Sequence, residues 1–326
     1  MVKVQLGNTE LMVSRAGFGV LPLGPGQKAL PLEEGACVLC HAIRNGINFL
    51  DTAQFYRTYP YIKRALEILA EDPSTSELID DLVISSKSLT PGYDEMMEAV
   101  EEARRDMGRD VIDIFLLHEV RGGRFEERAG AWQALIDARA KGLVKYIGLS
   151  THDQSVTAMC ADIPEMDVVF PLINYAGMGI RNGSEAGSAE GMMAAIAKCR
   201  AAGKGVFAMK AFGGGNLTPY YQKALDYVFG QKDIDSVMIG FVSTDEVDDL
   251  LDYMDGRMAP DYNPDTSAKL IRVNHEDCMG CGACMKICAS GALYYDENGL
   301  AVVDQEKCLT CGYCAYACPE RAIIMY

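Results

Sequence analysis

Eight cysteines arranged in two equal runs constrain this chain more than any other feature of its sequence. Both runs have the spacing C-x2-C-x2-C-x3-C, formed by Cys278, Cys281, Cys284 and Cys288 and then by Cys308, Cys311, Cys314 and Cys318. Each cysteine of the second run lies thirty positions after its counterpart, which indicates an internal duplication. Because the first residues lack the apolar core of a secretory signal, we expect these thiols to bind metal rather than form disulfides.

The two runs resemble those of bacterial ferredoxins, in which the fourth cysteine of each run ligates the other cluster. The resemblance implies two 4Fe–4S clusters, one held by Cys278, Cys281, Cys284 and Cys318, and the other by Cys308, Cys311, Cys314 and Cys288. Gly280, Gly282 and Gly312 would let the backbone pass close to the inorganic sulfides. Structural zinc sites would also use four cysteines each, but they do not require this run. Two clusters in one module normally transfer single electrons, and a purely bracing role is the alternative.

Length and charge limit what the rest of the chain can do. The chain has 326 residues, 49% of them hydrophobic, which suits a large barrel with a small appended domain. Nucleic acid and anionic membrane surfaces would repel its net charge of −16, so neither is expected as a partner. No charge-free apolar run reaches the ~18 residues of a membrane span. We therefore predict a cytoplasmic protein of an anaerobic, low-oxygen niche, with a small-molecule substrate and a redox partner protein.

Before the cysteine runs, apolar strand-like segments alternate with helical patterns, as in a (β/α)8 barrel. The predicted strands span 16–20, 48–50, 82–86, 112–117, 145–149, 168–173, 205–209 and 236–239, after a hairpin of 2–5 and 11–13. The predicted helices include 94–107, 127–141, 188–202 and 244–254. A doubly wound sheet is the competing fold, but no GxGxxG follows the first strand. The predicted fold is an α/β TIM barrel over 1–262, followed by a small α+β ferredoxin-like domain over 263–326.

Polar residues follow three neighbouring predicted strands, at the end where a barrel of this kind gathers its chemistry. Asp51 follows the second strand, Lys87 the third and His118 the fourth. Tyr56 lies five residues beyond Asp51 in the same loop. Taken singly, each residue has a structural explanation: a helix cap, a surface charge, a core histidine or a loop aromatic. Their order on successive strands favours one shared site.

Several segments of the first domain resemble the aldo/keto reductase family. They are Gly46–Tyr56, Ser86–Lys87, Asp113–His118, Lys141–Ser150 and Gly213–Gly215. The resemblance implies a catalytic tetrad of Asp51, Tyr56, Lys87 and His118 that reduces a carbonyl. Tyr56 would donate the proton, and Lys87, held by Asp51, would lower the pKa of the phenol. His118 would orient the carbonyl. More narrowly, the chain resembles members of the family that carry a C-terminal ferredoxin-type domain.

The resemblance also implies contacts to a nicotinamide cofactor, and here the sequence departs from the family. The family commonly binds the 2′-phosphate of NADPH with a lysine and an arginine after the eighth strand. This chain has Gly240 and Glu246 at those places, with Phe241 and Ser243 between them. A carboxylate repels a phosphate, so the usual clamp is missing. An acid there favours a ribose hydroxyl instead, and hence NADH.

The nicotinamide side is altered as well. Ser150 is retained, whereas Thr151 stands where an asparagine is common, and Met209 replaces the tyrosine on which the ring usually stacks. Phe170 aligns with the glutamine that usually holds the carboxamide. Lys210 is either an anion or cofactor contact or a solvated strand-end lysine. Three alternatives follow for NAD(P)H: NADH, a nicotinamide bound in another way, or no nicotinamide.

These observations predict an oxidoreductase that reduces a carbonyl or related unsaturated small molecule with its tetrad. The clusters would transfer electrons to or from the barrel site. A cluster passes one electron and a nicotinamide hydride carries two, so coupling them usually requires a flavin or a substrate that tolerates radicals. No flavin motif is evident. The alternative is an electron-transfer or redox-sensing iron–sulfur protein whose barrel is mainly a binding platform.

Overall fold

The computed structural model describes residues 1–266, 269–320 and 322–326. Its larger part is a closed barrel of eight parallel strands that follow chain order, with the last strand paired to the first. A hairpin of β1 (Lys3–Gln5) and β2 (Met12–Ser14) precedes the barrel. The barrel strands are β3 (Ala16–Gly19), β4 (Phe49–Asp51), β5 (Val83–Ser88), β6 (Ile112–Leu117), β7 (Val144–Thr151), β8 (Val168–Pro171), β11 (Gly205–Ala208) and β12 (Ser236–Gly240). Between β8 and β11 lies a short hairpin of β9 (Arg181–Asn182) and β10 (Glu185–Ala186). The expected α/β barrel is confirmed.

Helices alternate with the barrel strands. They are α1 (Leu32–Arg44), α2 (Tyr59–Ala70), α3 (Ser76–Asp80), α4 (Tyr93–Met107), α5 (Ala129–Ala140), α6 (Gln154–Cys160), α7 (Ala189–Ala201), α8 (Tyr221–Phe229) and α9 (Thr244–Met254). Local sequence sets the helix ends: α4 has acids in its first turn, arginines in its last and left-handed Gly108 after it. Within the described ranges, no helix combines the length and apolarity needed to cross a bilayer.

Apolar side chains fill the barrel and close one of its ends. Inside, Phe207 lies against Phe49 and Phe170, with ring centres 4.9 and 4.2 Å apart. The β1–β2 hairpin adds Leu6 and Leu11 to the same cluster. Because the hairpin covers the N-terminal end of the barrel, the polar groups carried by the strands collect at the opposite, C-terminal end.

The small domain is built from one unit that occurs twice. Its elements are β13 (Ile271–Val273), α10 (Ala283–Ile287), β14 (Leu293–Tyr295), β15 (Ala301–Val303), α11 (Tyr313–Ala317) and β16 (Ile323–Met325), the last three lying thirty residues after the first three. β13 pairs with β16 and β14 with β15, both antiparallel, so each sheet takes one strand from each half. This arrangement confirms the expected α+β character. The boundary between residues 262 and 263 stays a prediction.

The small domain lies across the C-terminal end of the barrel. Contacts that join the two parts include Arg121 with Asp277, Arg181 with Glu320, Gly214 with Met325, Glu246 with Lys269, and Gly26 with Arg272. The barrel partners follow β6, β8, β11, β12 and β3 in that order. The domain therefore covers the same end of the barrel at which the predicted tetrad residues lie.

Candidate active site

A buried ion pair forms the floor of the site. Asp51 ends β4. Lys87 lies within the neighbouring strand β5, whereas the sequence had suggested a place after that strand. The Lys87 ammonium donates to the two carboxylate oxygens of Asp51 at 2.8 and 2.7 Å and to the Thr52 carbonyl at 2.7 Å. Lys87 is only 1% exposed. Burial lowers the pKa of Lys87 and the Asp51 carboxylate opposes that shift, so each charge depends on the other.

Tyr56 and His118 face each other beside this pair. The Tyr56 hydroxyl lies 3.3 Å from His118 Nε2, and the two rings meet edge to face with their centres 5.4 Å apart. Lys87 Nζ lies 5.0 Å from the centre of the Tyr56 ring. Tyr56 ends a single 3-10 turn after β4, and His118 directly follows β6. The four residues predicted to form a tetrad thus lie together at the C-terminal end of the barrel. We refer to the space above them as the pocket.

The electrostatics of Tyr56 differ from the expectation drawn from the sequence. Burial raises the pKa of Tyr56 well above its ordinary value, and the charges of Asp51 and Glu119 raise it further. The expected lowering by Lys87 is wrong, because burial is the dominant effect on Tyr56 and the charge of Lys87 is paired with that of Asp51. Tyr56 is therefore a neutral phenol near neutral pH, and it can donate a proton without first having to acquire one.

His118 is held as a neutral imidazole. Burial lowers the pKa of His118 well below its ordinary value, and the charges of Lys87, Arg128 and Lys210 lower it further. Its Nδ1 is buried and has no hydrogen-bond partner in the described part of the chain. Arg128 fixes the backbone here by donating to the His118 carbonyl at 2.6 Å. The sequence analysis missed Arg128 because its neighbours Glu126 and Glu127 make it look like a surface charge.

Three residues around the pocket have a left-handed backbone that residues other than glycine rarely adopt. They are Arg57, Glu119 and Lys210, with φ angles of 56°, 51° and 60°. Glu119 directly follows His118, and Lys210 lies two residues beyond β11. Strain of this kind collects at functional sites when the surrounding structure enforces it. Glu119 was also missed, because no sequence pattern announces a left-handed glutamate.

The residues that the sequence predicted as nicotinamide contacts form hydrogen bonds within the protein itself. The Ser150 hydroxyl accepts a hydrogen bond from the Glu119 N–H at 2.9 Å. The Thr151 hydroxyl is buried and donates to the Val120 carbonyl at 2.6 Å. Both residues belong to β7, which is longer than expected. Met209 is half-buried at the mouth, next to Lys210. Their roles in cofactor binding stay predictions.

The segment after β12 is also occupied by the protein itself. A Cβ atom at Gly240 would lie 2.5 Å from Pro22, so no side chain fits there without a shift. Phe241 is buried, with its ring centre 5.0 Å from that of Phe18. These contacts explain the small residue at the position where the family commonly has a lysine.

Ser243 and Glu246 start α9 and connect it to the small domain. The Ser243 hydroxyl accepts from the Glu246 N–H at 3.2 Å, which caps the helix. The Glu246 carboxylate accepts from the Val242 N–H at 2.8 Å and pairs with Lys269 at 3.3 Å. The acid at the clamp position is therefore already neutralised from within the chain. These residues do not fit ordinary binding of the NADPH 2′-phosphate.

Two small cavities in the small domain are each lined by four cysteines. One cavity is lined by Cys278, Cys281, Cys284 and Cys318, and the other by Cys288, Cys308, Cys311 and Cys314. These are the two crossed sets that the ferredoxin resemblance implies, and all eight are free thiols. The sulfurs surround each cavity rather than meet at a point. In the described ranges, no group of three or more His, Cys, Asp or Glu side chains is placed to hold a single metal ion. Thiolates spread in this way fit the corners of a cuboidal 4Fe–4S cluster better than a tetrahedral zinc ion.

Comparison with known proteins agrees with this architecture. Residues 15–252 match the model of the aldo/keto reductase family, and residues 269–322 match that of a 4Fe-4S dicluster domain. The chain is 30% identical over 176 residues to pyridoxine 4-dehydrogenase of Escherichia coli, covering 50% of this chain and 62% of that protein. It is 23% identical over 299 residues to L-galactose dehydrogenase of Arabidopsis thaliana, covering 76% and 88%.

A solved structure gives the same fold. An aldo-keto reductase from Bacillus halodurans superposes with a TM-score of 0.62 at 18% identity, over 80% of this chain and 92% of that one. A likeness at that identity speaks for the fold, whereas the family model covers most of the chain. The chain belongs to the aldo/keto reductase family and carries a 4Fe–4S ferredoxin-like domain across the mouth of its barrel.

Proposed function

We propose that this protein reduces a carbonyl or related unsaturated small molecule at the Tyr56 pocket, with electrons supplied by two 4Fe–4S clusters. The observation that carries the proposal is the position of the small domain, which covers the end of the barrel where the tetrad lies. Asp277 precedes Cys278, and it pairs with Arg121 at 3.3 Å. Arg121 in turn pairs at 3.0 Å with Glu119, the residue after His118. A short series of contacts therefore connects the first cysteine set to the pocket.

A second contact supports the same arrangement. Glu320, two residues beyond Cys318, pairs with Arg181 at 2.9 Å. Cys278 and Cys318 both belong to the cysteine set of the first cavity. We infer that this set holds the cluster that serves the pocket. The other set would receive electrons from a redox partner protein, which could approach it over the exposed Leu309 and Tyr313.

The chain's own residues would manage the protons. When bound, each cluster exchanges one electron, so two clusters together supply the two electrons that a carbonyl takes up with two protons. Tyr56, a neutral phenol, donates a proton to the carbonyl oxygen, and water supplies the proton at carbon. His118 orients the oxygen with Nε2. Asp51 and Lys87 form the buried ion pair beside Tyr56 and hold the floor of the site in place. Water returns a proton to Tyr56 after each transfer.

Single-electron delivery also limits the substrate. The substrate must tolerate a one-electron-reduced form, which a carbonyl conjugated to a second unsaturated group does. The nicotinamide alternatives are less favoured, because Glu246 pairs with Lys269 of the small domain at the position of the family's 2′-phosphate clamp. The tetrad, by contrast, retains all four residue types in contact.

The test uses cluster-loaded protein that is reduced with dithionite, freed of excess reductant and mixed anaerobically with benzaldehyde or phenylglyoxylate. We expect the cluster absorbance to return as the carbonyl is consumed. Tyr56→Phe should slow this reoxidation by about 10²–10⁴-fold, the range for losing a positioned proton donor. Tyr253→Phe is the matched control, because that tyrosine bonds Asp226 on the outside of the barrel.

The outcome separates the proposal from its alternative. If Tyr56→Phe is reoxidised by the carbonyl compounds as fast as the unchanged protein, the pocket does not perform the reduction. If no carbonyl compound is consumed but an added ferredoxin reoxidises the clusters, the protein is an electron carrier or redox sensor. Titration of the same samples with NADH and NADPH shows whether either nucleotide reduces the clusters.

A further inference from the structure

We infer that the pocket takes an anionic substrate, a carbonyl compound with an adjacent carboxylate, and that Lys210 binds this carboxylate. The inference rests on the proposed function only in placing the carbonyl between Tyr56 and His118. It starts from the pairing of the cations around the mouth. Arg121 has carboxylate partners at 3.0 and 3.3 Å, and Arg181 has one at 2.9 Å. Within the described ranges, the Lys210 ammonium has no carboxylate within 4.0 Å and donates no hydrogen bond.

The position of Lys210 is enforced by its surroundings. Its left-handed backbone, with φ of 60°, is one that a lysine adopts only at a cost. The Lys210 carbonyl accepts from the Gly213 N–H at 2.8 Å and from Asn174 Nδ2 at 3.4 Å. Asn174 is fully buried and also bonds both backbone groups of Met178. Hydrogen bonds from Gly213 and Asn174 therefore fix the backbone of Lys210 at the mouth of the barrel, where its ammonium has no carboxylate partner among the described residues.

Lys210 lies at the end of the barrel that is proposed to receive the carbonyl. It follows β11 as His118 follows β6, and these parallel strands end at the same rim. Its charge also contributes to lowering the pKa of both His118 and His152. Burial is the larger cause in both histidines, which keeps them neutral and able to donate one hydrogen bond each. Glu119 and Asp277, whose charges oppose the lowering of the Lys210 pKa by burial, each direct an oxygen to Arg121. The side of the pocket beside the carbonyl position thus offers an ammonium and imidazole donors.

This set of donors fits a carboxylate better than a dinucleotide. One unpaired ammonium balances a single negative charge, whereas a pyrophosphate carries two. A carboxylate next to the carbonyl is also conjugated with it, and this conjugation stabilises the one-electron-reduced form of the substrate. Because Lys210 and His118 lie at the same rim of the barrel, we expect one small 2-oxo acid to contact the tetrad with its ketone and Lys210 with its carboxylate. The substrate class is therefore 2-oxo acids and close analogues.

Binding to oxidised, cluster-loaded protein tests the inference without any turnover. The probes are phenylglyoxylate and oxamate, with the neutral amides phenylglyoxamide and oxamide as matched ligands, measured by titration calorimetry. Lys210→Met should weaken binding of the carboxylates by about 10–100-fold, the effect of a charge-assisted hydrogen bond, and leave the amides unchanged. Lys210→Arg should recover most of the affinity. Lys223→Met is the control, because that lysine lies over the Tyr175 ring, 4.3 Å from its centre.

Several outcomes overturn the inference. Equal carboxylate affinity in Lys210→Met and the unchanged protein does so, as does failure of both carboxylates to bind the unchanged protein. A selective loss of NADH affinity in Lys210→Met would make Lys210 a nucleotide contact instead. The proposed function fails separately: if the carboxylates bind through Lys210 but reduced protein does not consume them, the anion subsite stands and the reductase does not.

Discussion

The buried pair of Asp51 and Lys87 makes the stability of the barrel depend on one carboxylate. Replacing Asp51 with Asn keeps the shape of the side chain and removes its charge. The Lys87 ammonium is 1% exposed and would keep only the Thr52 carbonyl and a neutral amide as acceptors. The change therefore leaves a charge inside the protein without the group that compensates it, which is more harmful than removing both members of the pair.

The size of the effect follows from the two ways in which the variant can respond. Keeping Lys87 charged costs about 3–5 kcal/mol, as when one partner of a buried pair is lost. Alternatively, Lys87 can lose its proton. Removing the proton costs about 1.4 kcal/mol for each unit by which the pH lies below the ordinary lysine pKa of 10.5, which is at most about 5 kcal/mol at pH 7. Both routes give a similar loss. At about 2–4 °C per kcal/mol, the melting temperature should fall by about 6–20 °C.

The pH dependence has a definite sign. Burial lowers the pKa of Lys87 in the folded state, and without Asp51 nothing of comparable strength raises it. The folded variant then binds fewer protons than the unfolded chain at every pH between its lowered pKa and 10.5. Its stability should therefore rise with pH across that window, and its deficit relative to the unchanged protein should shrink.

Thermal unfolding of cluster-loaded protein, followed anaerobically by far-ultraviolet circular dichroism at pH 7 and pH 9.5, measures these quantities. Asp106→Asn is the control, because Asp106 pairs with Arg105 on the surface and should matter by less than about 0.5 kcal/mol. Replacing both members with apolar residues, Asp51→Leu with Lys87→Met, should restore much of the loss. The reasoning is refuted if Asp51→Asn melts with the unchanged protein, or if the double variant is no more stable than the single one.

Two further predictions concern the pocket and the small domain. Because burial raises the pKa of Tyr56 and lowers that of His118, reoxidation of reduced protein by benzaldehyde should be independent of pH between about 6.5 and 9. Benzaldehyde lacks the carboxylate that Lys210, whose pKa burial lowers, would bind. A titration midpoint inside that window, in rates measured by stopped flow, would contradict these protonation states. Gly282→Ala should reduce cluster content, because the position has φ of 69° and a new Cβ would lie 2.3 Å from the Tyr295 hydroxyl. Gly108→Ala, with φ of 68° and nothing within 4 Å, carries the same strain without the clash, and equal iron content in the two variants would remove this explanation.

The elements that the sequence predicted well are those fixed by local patterns. The strand over 112–117 and the helix over 244–254 have the expected bounds, because apolar runs and a serine cap mark their ends. The strand bearing Lys87 was placed too short, since pairing with β6 extends it through Ser88. Convergence of the four tetrad residues could also be foreseen, because parallel strands deliver their ends to the same rim.

What the sequence could not reveal depends on contacts between distant parts of the chain. Arg121 meets Asp277 across 156 positions, and no local pattern in either segment indicates that they meet. The left-handed backbone of Glu119 and Lys210 is likewise a consequence of surrounding hydrogen bonds. The lowered pKa expected for Tyr56 was wrong for a related reason: the burial of its ring and its distance from Asp51 and Glu119 depend on the fold, and residue types alone do not specify them.

The neutral state of Tyr56 bears on how the two domains would work together. A phenol that keeps its proton can protonate a substrate oxygen only when negative charge arrives there, so proton donation waits for electrons. The clusters would deliver that charge through the face of the pocket where Arg121 and Arg181 connect the small domain to the barrel. Lys210 would hold the substrate at the same face. If the proposals hold, the covered mouth would bring the supply of electrons, the proton donor and the anion subsite to one side of the substrate. That arrangement would suit stepwise reduction better than hydride transfer from a nucleotide.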